Sequence, residues 1–221
     1  RHVIDGGYTT LRINVENGIG HGEVGPSEWS RAPESDIAAA LVSAPDIPTL
    51  KRVPIAMLIT REIVENRRVG IGDDVFLVGR LIDHQGKQQN TPSARFGCIA
   101  QMPIPQEPIY SRHLDRSVET ILCEVRSIGG FSGSPVFVSI PAVDERDGAT
   151  NIGGSNRGPW LLGVDWGHRL TDLDLYEGGK KTGRTIKENT GIACVAPAWH
   201  LFDLLHSPEL RAEREKVEKQ T

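Results

Sequence analysis

GGFSGSPVF, residues 129–137, is a glycine-rich turn running straight into an apolar stretch. Two readings compete. Ser132 is a nucleophile held in a tight turn, or the segment is an ordinary Gly/Ser loop before a strand. The turn alone fits both, because Gly-x-Ser-Gly loops occur in many β proteins. A hydroxyl is a poor nucleophile at neutral pH and needs a base in reach, an acid behind the base and backbone N–H donors for the oxyanion. Glycines ahead of the serine let those N–H groups converge without a Cβ in the way. The choice therefore rests on the rest of the chain.

The flanks read as strands. VETILCEV (118–125) precedes the turn and SPVFVSI (134–140) follows it. This excludes the G-x-S-x-G elbow of α/β hydrolases, which needs glycine where Ser134 stands and a helix afterwards. Further strands are expected at YTTLRINV (8–15), DIAAALVSA (36–44), VPIAMLI (53–59), DVFLVGRLI (74–82), ARFGCIAQM (94–102), WLLGVDWG (160–167) and GIACVAPA (191–198). Residues 17–33, 83–90, 103–117, 144–158 and 171–190 read as loops or turns. WHLFDLL is expected to start a helix that continues through Ser207-Pro208 into ELRAEREKVEKQ. The chain is thus almost all strand with one C-terminal helix, a sandwich or barrel pattern rather than βαβ.

Composition narrows the partners. With 221 residues, 38% hydrophobic content and a net charge of −4, the chain fits one large or two small domains and offers no basic stripe for nucleic acid. No apolar run reaches the roughly 18 residues of a membrane span. Cys98, Cys123 and Cys194 form no CxxC pair and no disulfide scaffold, so no metal site is expected. GGKKTG (178–183) lacks the spacing of a phosphate loop and reads as solvated.

Several segments in order carry a resemblance. Gly130-Phe131-Ser132-Gly133-Ser134-Pro135 resembles the nucleophile turn of the chymotrypsin-like serine proteases, including their bacterial HtrA-type relatives. Ser35-Asp36-Ile37-Ala38, followed by Ala39-Ala40-Leu41-Val42, resembles the family's D-I-A-L strand. Arg1-His2-Val3-Ile4-Asp5-Gly6 resembles the end of its T-A-x-H-V segment. Val69 to Gly79 looks like its V-G-D-x-V-x-x-I-G strand. Leu162-Gly163-Val164-Asp165-Trp166-Gly167 looks like the substrate-binding strand, and Thr190 to Pro197 like the last strand before the C-terminal helix. Asp36 lies 34 residues beyond His2, and Ser132 lies 96 beyond Asp36, in the family's His, Asp, Ser order.

The resemblance implies two six-stranded antiparallel β-barrels with a C-terminal helix, divided as 1–82 and 83–221. The chain opens at Arg1 rather than Met, so the first barrel is expected to lack the strands before the histidine. The resemblance also implies an endopeptidase without cofactor, acting on a protein or peptide substrate. Ser132 attacks, His2 moves the proton, and Asp36 orients His2. The Gly130 and Ser132 N–H groups form the oxyanion hole. Asp165, Trp166, Gly167 and Gly191 line the primary pocket with Arg126 at its floor, where a cation implies an acidic or polar preference. His21 is the competing base, and the remaining histidines read as surface or packing residues. The alternatives are a protease-like fold that binds peptides without cutting them, and an esterase using the same triad.

Overall fold

A computed structural model describes residues 2–4, 7–9, 29–40, 53–79, 92–112, 114–126, 129–140, 143–144, 151–152 and 159–218, with side chains over 29–40, 53–79, 92–112, 114–126, 129–140 and 159–216. Two short hairpins come first. They are β1 (His2–Ile4) with β2 (Gly7–Thr9), and β3 (Ser30–Arg31) with β4 (Ala38–Ala39). The rest of the expected strand 8–15, residues 41–44 of the strand 36–44, and the turn 83–90 lie outside the described residues.

The stretch 53–59 is not the strand its apolar run suggests. Ile55–Met57 forms a single 3₁₀ turn, and only Leu58 bridges another strand, at Leu161. Helix α1 (Arg61–Arg67) follows without having been anticipated. The Thr60 hydroxyl accepts from the Ile63 N–H at 3.2 Å, and Arg68 ends the helix in the left-handed region at φ 53°. Thr at the N-cap with Glu62 in the first turn is a legible start signal.

β5 (Asp74–Gly79), β6 (Ser93–Gln101), β9 (Ile121–Glu124), β10 (Pro135–Val138), β13 (Trp160–Glu177) and β14 (Lys180–Pro197) make the central sheet. It is antiparallel throughout and closes on itself in the order β5-β6-β9-β14-β13-β10, with Val136 of β10 opposite Leu77 of β5. Alternation fills the interior. Val75, Leu77, Ile99, Ile121, Cys123, Val136, Leu162, Ala193 and Val195 are all essentially without solvent contact. A Cβ on Gly97 would lie 1.7 Å from the Glu124 carbonyl oxygen, so glycine is what lets β6 cross β9 this closely. Strand β5 falls before the expected boundary at 82/83, yet it pairs with both β6 and β10, so this closed sheet begins no later than Asp74.

Two expected loops contain paired strands. β7 (Ile109–Ser111) and β8 (Arg116–Val118) form a hairpin that takes up the end of 103–117 and one residue beyond, and β11 (Val143–Asp144) pairs with β12 (Asn151–Ile152) around 144–158. The larger correction is 171–190. β13 and β14 run on past the closed sheet as a two-stranded arm, turned by Gly178-Gly179, both at positive φ. A two-residue Gly-Gly loop suits the twist of a hairpin, and Asp172–Lys187 and Asp174–Lys181 ion pairs at 3.6 and 2.7 Å lace it. The polar composition that suggested a loop reflects exposure on both faces of the ribbon.

The C-terminal helix is two helices, α2 (Ala198–Leu205) and α3 (Pro208–Glu218). Proline has no N–H to give the preceding turn, and it is well placed as the first residue of the second helix, where Ser207 Oγ accepts from the Leu210 N–H at 3.4 Å. No described helix is long and apolar enough to cross a membrane.

Candidate active site

Ser132 is exposed at the tip of a tight turn. The Ser134 N–H donates to the Phe131 carbonyl at 2.9 Å, and Gly133 takes φ 87°. A positive φ at the third position defines a type II turn, which glycine adopts without strain. Phe131, beside the serine, points the other way. It is 1% exposed within the core, and the Arg95 guanidinium lies 4.8 Å from its ring centre.

The turn is fastened to β13 by two backbone bonds. The Gly133 N–H donates to the Asp165 carbonyl at 2.7 Å, and the Asp165 N–H donates to the Ser134 carbonyl at 2.9 Å. Asp165 is 1% exposed, and its Oδ1 accepts from the Gly167 N–H at 3.0 Å. Gly130 lies at φ 94°, and among the described residues neither its N–H nor that of Ser132 has a backbone acceptor.

Ser132 opens onto a cavity of about 340 Å3 that also takes in Trp166, Gly167 and Cys194. Burial pushes the Cys194 thiol up to about 11; the Arg169 charge opposes that rise and the Asp165 charge adds to it. Cys194 is therefore a neutral, poorly reactive thiol at neutral pH, as is Cys123, which burial raises further. Gly191 (φ 79°) backs onto Arg126, its hypothetical Cβ lying 3.5 Å from the Arg126 Cα. The exposed Arg126 side chain does not line the Ser132 cavity.

Asp36 sits elsewhere. It is half-buried in the turn between β3 and β4 and lines a cavity of about 620 Å3 with Arg31 and Arg116. That hairpin is held to the main body by Ala32 and Ile37, which pack with Ala196, Leu204 and Leu210, and by an Arg116 guanidinium bond to the Pro33 carbonyl. Asp36 and Ser132 line different cavities. His2 lies in β1 opposite Thr9, its side chain outside the described residues, as is all of His21.

His168 is the described histidine that shares the cavity of Ser132. No motif singles it out, because its place on the Ser132 cavity depends on the course of β13 past the turn. Among the described residues no group of three or more His, Cys, Asp or Glu is arranged to hold a metal ion. No protein-family model, no curated protein and no solved structure matches the chain.

Proposed function

We propose that the protein is a serine endopeptidase of the two-barrel, chymotrypsin-like kind. The closed sheet from Asp74 onward is its second barrel, and the segment carrying His2 and Asp36 belongs to the first. The observation that carries this reading is the fastened type II turn. It sets Ser132 in solvent at a cavity mouth while its neighbour Phe131 is sunk in the core, and it leaves the Gly130 and Ser132 N–H groups without described backbone acceptors.

In this reading Ser132 Oγ forms a bond to the peptide carbonyl carbon and gives its proton to His2. The developing oxyanion accepts from the Gly130 and Ser132 N–H groups. His2 then returns the proton to the leaving amine as the C–N bond breaks. Water, deprotonated by His2, adds to the acyl carbon; the bond to Ser132 Oγ breaks, His2 returns the proton to Oγ, and the acid is released. Asp36 holds the tautomer of His2 and stabilises its cation.

A peptide-binding module without hydrolysis is the second reading, favoured by one observation: Asp36 and Ser132 line different cavities. Labelling by a fluorophosphonate separates the two. The endopeptidase reading expects labelling that Ser132→Ala abolishes and that His2→Ala and Asp36→Ala each slow by at least a hundredfold. Slowing by His168→Ala instead would move the base to β13. Absence of labelling in the folded protein would overturn hydrolysis and leave the binding module.

A further inference from the structure

The cavity beside Ser132 is charged in one sense. Arg112, just after β7, Arg169 in β13 and Lys187 in β14 all line it, and no carboxylate does among the described residues. This concentration of cations runs against the chain as a whole, which carries a net charge of −4. The three come from two walls, the β7–β8 hairpin and the root of the β13–β14 arm, so the chain brings together residues 75 positions apart in sequence (112 and 187).

The nearby acids are already engaged. Asp172 pairs with Lys187 at 3.6 Å, with both side chains more than half exposed, and so offsets only part of that charge. The Asp115 carboxylate accepts from the Tyr110 hydroxyl, and buried Asp165 accepts from the Gly167 N–H. His168 lies on the same lining. At about 340 Å3 the space falls near the lower end of the roughly 300–1,000 Å3 of small-ligand sites, a size for one side chain and its backbone rather than a large cofactor. A guanidinium offers paired N–H donors that match a carboxylate, and Arg112 and Arg169 line the same space from two different elements.

We infer that this cavity receives the carboxylate side chain of an acidic residue, Asp or Glu, in a polypeptide bound against Ser132, and that the protein selects acidic peptides over their amide and basic counterparts. The inference rests on Ser132 marking the peptide site, and it names the substrate class of that site. The selectivity resides in Arg112 and Arg169, because Lys187 is shared with Asp172.

The test uses Ser132→Ala protein, which binds without turnover, and fluorescein-labelled hexapeptides that differ at one central position: Glu, Asp, Gln, Lys or phosphoserine. Anisotropy is expected to show Glu and Asp peptides binding at least tenfold tighter than Gln, with the gap closing as salt is raised. The gap should fall below twofold when Arg112→Gln and Arg169→Gln are added. Because both side chains are exposed, the melting temperature should hold. The charge-reversed pair Arg112→Glu and Arg169→Glu should favour the Lys peptide, a gain that misfolding cannot produce.

Equal binding of Gln and Glu peptides, or a preference that survives the double variant, overturns the inference. Phosphoserine binding well above Glu overturns it in favour of a phosphate site. Fluorophosphonate labelling of the protein with Ser132 intact is scored separately. Labelling without acidic preference refutes this inference alone, and acidic preference without labelling refutes hydrolysis alone.

Discussion

The Gly133 N–H donates to the Asp165 carbonyl across 2.7 Å, tying the turn that carries Ser132 to the strand that walls its cavity. The bond depends on Gly133 at φ 87°, a conformation that costs an L-residue about 1–2 kcal/mol, although a methyl there would meet nothing within 4 Å. Gly133→Ala is therefore expected to lower stability by about that amount through backbone strain alone. If the turn relaxes by leaving the type II geometry, Ser132 moves and fluorophosphonate labelling slows by tenfold or more. Denaturation and labelling on the same sample check it; unchanged labelling would mean that the turn is not what presents the serine.

Phe131 is the buried anchor of the same turn. Its ring lies so close to Gly79 that a Cβ there would sit 2.5 Å away. Phe131→Ala opens a cavity in the core and should cost about 3–5 kcal/mol. Phe131→Leu, which keeps most of the volume, should cost about 1–2 kcal/mol and leave Ser132 reactive. Urea denaturation gives the costs. Equal costs for the two would show that burial of the ring does not hold the turn.

What could be read from the chain follows from how local the signal is. Strands β6, β9 and β10 were legible because alternation and the turn around Ser132 lie within a few residues. Helix α1 is not, although Thr60 and Glu62 mark its start, because seven residues are too short for a helical period to stand out after the apolar run 53–59. The arm at 171–190 was lost because both faces are exposed, which removes the hydrophobic alternation that reveals a half-buried strand. The site was legible only as far as its own turn. Ser132, Trp166 and Gly167 line one cavity and Asp165 bonds the turn through its backbone, whereas His168, Arg112, Arg169 and Lys187 reach the same cavity through pairings no single window contains.

The arm itself is expected to contribute little to global stability. Leu173 and Ile186 face each other across it at 41% and 49% exposure, and an isolated two-stranded ribbon is marginal in water. Replacing the segment between Leu173 and Ile186 by Asn-Gly keeps Lys187 and the cavity wall. The denaturation midpoint should shift by less than about 0.5 kcal/mol, with Ser132 labelling unchanged. A loss of several kcal/mol would show that the arm packs against something beyond its own ribbon.

Glu119 offers the clearest pH prediction. Its Oε2 accepts from the Arg61 guanidinium at 2.7 Å, the Trp199 indole N–H at 3.1 Å and His200 Nε2 at 2.7 Å, and Oε1 accepts from Arg61 at 3.1 Å. One carboxylate thus joins α1 to α2. Partial burial acts to raise its pKa, but the bonds from His200, Arg61 and Trp199, with the charge of Arg61, outweigh that and hold it at about 2, against 4.5 unperturbed. A carboxylate whose pKa is lower folded than unfolded stabilises the fold above the unfolded value. That stability is lost as pH falls from about 4.5 towards 2. The side chain keeps 23% of its surface in solvent, so screening limits the contribution to about 1–2 kcal/mol. Glu119→Gln should lower the melting temperature at pH 7 and flatten its decline between about pH 4.5 and 2 relative to the unchanged protein. Calorimetry across that range decides it: parallel curves would mean that another group carries the acid sensitivity, and convergence near pH 2 would assign it to Glu119.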